Sequence, residues 1–345
     1  MQLLEGFLVD FAGHILIKEP IYLTIMRFNY IKHRFAFYAV ALVLFVGSIA
    51  APFLLSLNLG IDMTGGTLAE FSFTGDYNRA AIDTAVTKAS ASAQIGGKSA
   101  VNTTSSYRIT GENKFVVEAG FDRRGASEAD YEAVKTTFKE LLSKELAATG
   151  SVKLARYVNI GETFGDYIKK TAYITLALVI VAISLYIAWA FRGAIEGFSS
   201  FSFGFVTAIS LLHDVVVAFG LFVVASHFFP EYKIDTFFIT AMLTVLGYSI
   251  NDTIVVMDRI RSNLALPSMK RVALGEVINN SINDTLTRSI YTSLTVVIVL
   301  VALFIFGPQA IHGFALALIF GTLVGAYSSV CIAAPLLYDI TKEQK

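Results

Sequence analysis

Ionisable and polar side chains interrupt the apolar runs of this 345-residue sequence. His213 and Asp214 lie in the middle of one run, and Asp252 lies in the next. Ionisable groups are costly in the hydrocarbon of a membrane, and they often mark a transport or proton pathway there. A buried carboxylate can load and release a proton near neutral pH, because burial and a nearby cation shift its pKa in opposite directions. These three residues are therefore candidate proton carriers.

The alternative for both aspartates is structural. Asp214 could be held by polar groups of an adjacent helix, with Ser210 one turn away, while His213 points in a different direction around the helix. Asp252 has Ser249 and Tyr248 on its own face, at i−3 and i−4, and could simply specify packing.

A polar stripe begins the fifth apolar run and leaves two interpretations of Arg288 open. Asp284 and Arg288 could form an i, i+4 pair at the membrane edge, with Arg288 extending towards water. Arg288 could instead reach Asp252, and that pair would form a titratable switch in a low dielectric. The stripe follows one helical face and comprises Asn280, Asp284, Arg288, Thr292 and Thr295.

Hydropathy predicts the elements that position these groups. The chain is 55% hydrophobic and only 16% charged, whereas soluble proteins average about 25% charged. A bilayer-spanning helix needs about 20 apolar residues. We predict a six-helix polytopic membrane protein, with the turn between the last two helices at 307–309. The predicted spans are 35–57, 168–191, 198–226, 235–258, 287–306 and 311–338.

Residues 58–167 differ from the rest, because charges return and period-two alternation appears. The order of predicted elements is that of a ferredoxin-like βαββαβ domain inserted between helices 1 and 2. Phe71, Phe73, Phe115 and Phe121 could contact a ligand, but their strand spacing favours a core position. The predicted strands are 67–73, 101–110, 114–120 and 151–160, and the predicted helices are 77–93 and 127–148.

The distribution of Lys and Arg predicts the orientation. Positive charge lies before the first span, at Arg192, in the loop after the fourth span and in the tail 339–345, while the opposite short loops carry only Lys233. Both termini are therefore expected in the cytoplasm and the inserted domain in the periplasm. Residues 1–34 could begin with a short interfacial helix or be unordered. Cleavage after Ala50 is disfavoured, because the apolar run continues past it.

Four further features of the sequence bear on packing and function. Small residues every four positions in the sixth run predict close helix packing. They are Gly313, Ala317, Gly321, Gly325 and Ser329. Net charge is zero, with 27 basic and 27 acidic residues, which excludes the basic footprint of a nucleic-acid binder. The single Cys331 allows no intrachain disulfide. No P-loop, nucleophile elbow or metal-ligand spacing is present, so we expect no enzyme, no cofactor and no metal.

Three segments resemble a known family. Residues 60–67 are similar to its GIDFTGGT element, with Asp62, Thr64, Gly65, Gly66 and Thr67 at matching positions. Residues 245–261 resemble its VLGYSINDTVVVFDRIRE stretch, and residues 281–289 its S-x-N-x-T-x-x-R element. Over roughly residues 30–340 the chain resembles the SecF family of protein-export membrane proteins, part of the RND superfamily.

The resemblance implies a role in Sec protein export. Members pair with a six-span SecD chain, associate with the SecYEG channel and the SecA motor, and use the proton-motive force to help move polypeptides across the bacterial cytoplasmic membrane. By position, Asp252 and Arg288 correspond to the residues of proton passage, and Asp214 and His213 match a polar pair. Supporting positions of the fourth-span motif are Tyr248, Ser249, Asn251, Asp258, Arg259 and Arg261.

Two rival functions share this architecture. One is an RND-type proton-coupled exporter of small molecules or lipids, although such exporters normally have two six-span halves and larger external domains. The other is a structural translocon subunit that conducts no protons, for which the polar stripe and the small-residue face would suffice.

Overall fold

A computed structural model describes residues 28–75, 78–109, 112–122, 125–148, 151–192, 199–269 and 271–342 of the chain. The interfacial helix considered for residues 1–34 falls on positions before residue 28 and lies outside the described residues. The last three residues of the tail lie outside them as well.

Six helices of the described part are long and apolar enough to cross a membrane, which confirms the predicted number of spans. The sixth continues without a break through a π-helical turn, Ser329–Ala333, into its last segment. We call these helices the first to sixth span. Their bounds are Arg34–Leu54, Glu162–Ala190, Ser200–Phe228, Thr236–Ala265, Leu274–Phe306 and, for the sixth, His312–Ser328 with Ser329–Ala333 and Ala334–Lys342.

The fourth and fifth helices extend beyond their apolar runs. The fourth continues to Ala265, past the predicted end at 258, and the fifth begins at Leu274 instead of 287. Hydropathy detects only the part of a helix that suits hydrocarbon. The charged and polar turns beyond it remain helical, since their backbone groups pair within the helix at any depth.

Three spans form the centre of the bundle. Half of the apolar window of the third and fourth spans is buried, and 61% of that of the sixth, against 11–17% for the first, second and fifth. The central helices therefore provide the protein interior in which a polar group can be shielded from lipid.

The inserted domain has the predicted ferredoxin-like fold. Its four long strands form an antiparallel sheet in the order β4-β5-β1-β6, and two helices cover one face. The strands are β1 (Gly66–Thr74), β2 (Gln94–Ile95), β3 (Lys98–Ser99), β4 (Val101–Ile109), β5 (Lys114–Phe121) and β6 (Ser151–Ile160), and the helices are Arg79–Ser92 and Glu128–Ala148.

The small β2–β3 hairpin was not predicted. Its turn is Gly96-Gly97, and both glycines have positive φ. A Gly-Gly pair between two short runs is a hairpin signal that could have identified it.

The four phenylalanines of the sheet lie in the core of the domain. Phe71, Phe115 and Phe121 are at most 3% exposed, and Phe73 is 8% exposed. The Phe71 and Phe115 rings stack at 5.3 Å, and Phe121 meets the helical Phe138 edge-to-face. These side chains therefore stabilise the domain and are not available to a ligand.

The small-residue face of the sixth span lies against the fourth. A Cβ added at Gly321 would lie 2.0 Å from Cγ2 of Val245, and one at Gly325 would lie 3.0 Å from Cβ of Ser249. Glycine at these two positions lets the backbones approach closely, as the four-residue repeat predicted.

Gly321→Ala is therefore expected to reduce the free energy of unfolding by about 1–3 kcal/mol through overpacking. The thermal unfolding midpoint of the detergent-solubilised chain measures this, and adding Val245→Ala should restore much of the loss. Gly247→Ala is the matched control, since its Cβ would meet nothing within 4 Å. Equal midpoints for both single variants would contradict the close contact.

Candidate functional site

Asp214 lies at the centre of the bundle and is fully buried. Its carboxylate accepts hydrogen bonds from Ser249 of the fourth span and from Ser328 of the sixth, the latter at 2.7 Å. Ser210 does not bond to it directly and instead contacts Ser328 at 3.4 Å. Donors from two neighbouring helices thus compensate for the burial of this carboxylate.

His213 belongs to the same network, contrary to the expectation that it points away. Its Nδ1 lies 3.0 Å from Asp214, its Nε2 lies 2.9 Å from the Tyr327 hydroxyl, and its ring stacks on Phe45 of the first span. Helix periodicity gave the direction of the Cβ atoms correctly, but the imidazole is long enough to turn back to its neighbour. His213 therefore links Asp214 to the sixth span by a second route.

Asp252 is the second buried carboxylate, at 3% exposure. Ser329 of the sixth span donates to its Oδ2 at 3.1 Å. The buried Ser289 of the fifth span lies near this carboxylate, but its hydroxyl makes no hydrogen bond within the described residues. The two residues expected beside it bind elsewhere: Ser249 donates to Asp214, and Tyr248 donates to Ser293 at 2.8 Å. Ser249 and Tyr248 share a helical face with Asp252 but do not bond to it, because neighbouring helices offer acceptors that are better placed.

Arg288 forms neither of the two pairs considered for it. Asp284 accepts from Arg259 of the fourth span, with an N–O distance of 2.7 Å. Within the described residues the exposed Arg288 makes no ion pair, although its charge acts on nearby Asp252. The contact across two helices replaces the i, i+4 pair because Arg259 and Asp284 lie opposite each other.

Of the remaining supporting residues, Asp258 and Arg261 lie towards the end of the fourth span that is far from the inserted domain. Asp258 pairs with Arg261 at 2.6 Å, and the Arg261 guanidinium lies 5.4 Å from the centre of the Phe191 ring. Asn251 is exposed. Asn263, which the motif did not single out, donates to Ser281 at 2.9 Å and joins the fourth and fifth spans.

An exposed polar face runs along the fourth and fifth spans beside Asp252. Its threonines donate to carbonyls of their own helices, but the Asn251 amide and the Arg288 guanidinium make no side-chain hydrogen bond within the described part of the chain. Hydrocarbon cannot solvate these two groups. The face comprises Thr240, Thr244, Asn251, Arg288, Thr292 and Thr295.

The glycine-rich motif at 60–67 binds the start of the fourth span. Thr236 Oγ1 donates to Asp62 at 2.8 Å, and the backbone of Gly60 donates to Ile234 at 2.9 Å. Gly65 and Gly66 have positive φ, and a Cβ on Gly66 would lie 2.3 Å from the Ala119 carbonyl oxygen. The motif therefore joins the inserted domain to the helix that carries Asp252.

The other motif threonines stabilise the same junction. Thr64 Oγ1 donates to the Gly65 carbonyl at 3.0 Å, and Thr67 is buried at the start of β1.

A buried ion pair makes a second connection between the domain and the fourth span. Lys233, in the loop before that span, pairs with Glu118 of β5, and Tyr107 donates to the same carboxylate at 3.0 Å. Sequence reasoning missed Glu118. The signal was Lys233 itself, the one basic residue of the short loops on this side.

Asp235 follows Lys233 and caps the fourth span by accepting from the Phe238 backbone at 2.8 Å. Burial, together with the neighbouring carboxylates of Asp62 and Glu118, raises the pKa of Asp235 to about 6. This end of the fourth span therefore carries an acidic group that titrates near neutral pH.

Comparison with known proteins identifies the family. Residues 141–343 match the family model "Protein export membrane protein SecD/SecF, C-terminal". The chain belongs to the SecD/SecF family. It is 33% identical to the protein translocase subunit SecF of Thermobaculum terrenum, over 89% of this chain and 92% of that one. It is 31% identical to the corresponding subunit of Endomicrobium trichonymphae, over 90% of each chain.

The fold matches a solved member of the family. The crystal structure of SecDF, a translocon-associated membrane protein from Thermus thermophilus, superposes with a TM-score of 0.73 at 25% identity. The match covers 97% of this chain and 41% of the SecDF chain, so this chain spans less than half of that longer protein.

Lys233→Met should lower the stability of the junction, because it leaves Glu118 buried without its cation. A loss of about 3–5 kcal/mol is typical of breaking a buried pair, whereas replacing both partners is much milder. We expect a lower thermal midpoint and faster proteolysis of the inserted domain in Lys233→Met, with recovery in Lys233→Met/Glu118→Gln. The matched control is Lys88→Met, whose pair with Glu145 is exposed. Equal effects of the two lysine substitutions would rule out a special role for the buried pair.

Proposed function

We propose that the chain is a SecF-like subunit of the Sec protein-export machinery. With a six-span SecD-like partner it uses the proton-motive force to promote late steps of polypeptide translocation across the bacterial cytoplasmic membrane. The family and the named relatives support the export role. The observation that supports proton coupling best is a buried carboxylate, Asp252, next to an unpaired arginine on a polar face inside the spans.

The polar face supports the need for a partner. Asn251 lies near the middle of the fourth span, and Arg288 lies level with Asp252, because its neighbour Ser289 is beside that carboxylate. An amide and a guanidinium at this depth require protein or a water-filled cavity. A second six-span chain seated on this face would supply both and would enclose Asp252. The covered 41% of the SecDF chain is compatible with such a two-part unit.

The proton cycle uses the same two residues. Protonation of Asp252 from the outer side removes its negative charge. Arg288 is then no longer attracted to Asp252 and is free to contact the partner chain. Release of the proton towards the cytoplasm restores the attraction between Asp252 and Arg288. A charge that crosses the full potential gains about 2.3 kcal/mol per 100 mV, enough to bias a two-state element about fifty-fold but not to unfold a protein. The cycle therefore acts as a ratchet on a polypeptide that is already emerging.

The junction described above transmits the movement. Asp62 and Lys233 connect the start of the fourth span to the inserted domain, so a displacement of the helix that carries Asp252 pulls on the sheet. We place this domain in the periplasm and both termini in the cytoplasm, since Arg192, Arg259, Arg261 and Arg271 all lie at the opposite ends of the spans. The SecYEG channel and the SecA motor are the proposed associates on which the ratchet acts.

Asp252→Asn is expected to abolish proton-linked stimulation of export while the complex still assembles. The measurement is translocation of a secreted precursor into inverted membrane vesicles, with and without an imposed proton gradient. Ser226→Ala is the control, because that buried hydroxyl donates only to the Val223 carbonyl of its own helix.

Unchanged gradient-dependent translocation in Asp252→Asn would reject the proton role and favour a structural translocon subunit. Gradient-driven efflux of a hydrophobic dye that is lost in the same variant, with precursor translocation intact, would favour an RND-type exporter.

Thr244→Trp should reduce copurification of the six-span partner in mild detergent severalfold, because a bulky ring on the polar face separates the two chains. Leu178→Trp is the matched control, on the second span at a position 63% exposed. Loss of the partner in the control but not in Thr244→Trp would place the partner on the other side of the bundle.

A further inference from the structure

Three consecutive residues of the sixth span contact three polar groups on two other helices. Tyr327 reaches His213 and Ser328 reaches Asp214, both on the third span, and Ser329 reaches Asp252 on the fourth. Successive side chains of a helix point about 100° apart, so a helix seated between two others can bond to both. The sixth span is therefore hydrogen-bonded to both carboxylates at one level of the membrane.

The backbone of the sixth span changes from α-helix to π-helix at these same residues. Ser329 begins the π-helical turn Ser329–Ala333, directly after the last α-helical residue, Ser328. A π turn is rare, inserts extra width into a helix and occurs frequently at functional sites. The boundary between the two helical forms thus falls between the serine on Asp214 and the serine on Asp252.

The two carboxylates differ in how firmly they are held. Asp214 has contacts with His213, Ser249 and Ser328 and is completely enclosed. Asp252 has the longer bond from Ser329, at 3.1 Å, and lies beside the exposed polar face. Asp214 is therefore the fixed attachment of the sixth span, and Asp252 is the attachment that can change.

We propose that Ser328 and Ser329 are positioning residues that couple the ionisation of Asp252 to the shape of the π turn. With Asp252 charged, Ser329 holds the turn in its π form. With Asp252 protonated, the Ser329 bond weakens and the turn relaxes, while Ser328 remains on Asp214. This inference rests on the proposed proton function of Asp252, and it adds the sixth span as the element that moves.

The proposed coupling depends on the strength of the hydrogen bond that Ser329 donates to a charged acceptor. Hydrogen bonds to an ionised group are about twice as strong as neutral ones, so loss of the charge weakens the hold of Ser329. The other titratable groups around the two carboxylates are Arg288 on the fifth span, Tyr248 on the fourth, His213 on the third, and Tyr327 and Cys331 on the sixth. Of these, only Arg288 carries a permanent charge.

The chain contains its own reporter of the turn. Cys331 is its single cysteine, lies inside Ser329–Ala333 and is partly exposed. Its rate of reaction with N-ethylmaleimide depends on the local backbone and on access. At one fixed pH this rate therefore reports the shape of the turn.

The experiment measures Cys331 modification by mass spectrometry of this chain, in the complex with its partner, reconstituted in vesicles at one pH. Ser329→Ala and Asp252→Asn are each expected to change the rate in the same direction, by about three- to tenfold, the effect of losing or weakening one hydrogen bond. The double variant should change it no further. Ser329→Thr, which keeps the hydroxyl, should retain the wild-type rate, as should Ser226→Ala.

Wild-type rates in both Ser329→Ala and Asp252→Asn would overturn the proposal, and so would additive effects in the double variant. Both outcomes are distinct from failure of the proposed function, which is read from precursor translocation in Asp252→Asn. Lost translocation with an unchanged Cys331 rate would leave the proton role standing and remove the π turn from it.

Ser328→Ala should alter the Cys331 rate even in the Asp252→Asn background, because Asp214 is the other attachment.

Discussion

The requirement that a carboxylate inside a membrane be surrounded by donors determines how the central helices are arranged. Asp214 is fully buried, and the hydroxyls that compensate for it come from the fourth and sixth spans. Each of those helices must approach the third closely and at a fixed height. Gly325 allows this, because the sixth span can then lie against Ser249. Helix packing and polar satisfaction are thus one constraint, since the glycines bring the backbones together and the serines fix their register.

The number of donors around a buried carboxylate distinguishes a structural role from a role in proton exchange. A group with all its acceptor sites filled gains little from a change in its surroundings, and losing its charge would cost several hydrogen bonds. Asp252 has fewer donors and an exposed polar face beside it, which is why we assign the proposed proton exchange to this carboxylate and not to Asp214. The sequence shows two aspartates in neighbouring spans, and only their partners distinguish them.

Much of the architecture was predictable, because hydropathy and strand alternation are local signals. The six spans follow from apolar runs of about 20 residues, and the βαββαβ order and the core positions of Phe71 and Phe115 follow from periodicities of about 3.6 and 2 residues. The errors concern partner choice. Tyr248 bonds to Ser293 and Arg259 bonds to Asp284, because residues on different helices compete for the same groups. The register between helices is a tertiary property, and neither that register nor the π turn at Ser329 has a local signature in one sequence.

The junction between the domain and the bundle explains why one helix is central to both. The fourth span is capped by Asp235, bonded to Asp62 through Thr236 and preceded by Lys233, whose charge is neutralised by Glu118 in the sheet. Two turns before its apolar run ends, the same helix carries Asp252. A rigid helix transmits a shift at one end to the other, because its backbone hydrogen bonds resist stretching. The start of this helix holds the inserted domain, and Asp252 lies further along the same helix. Under the proposed function, a shift at Asp252 therefore reaches the domain junction through one rigid element.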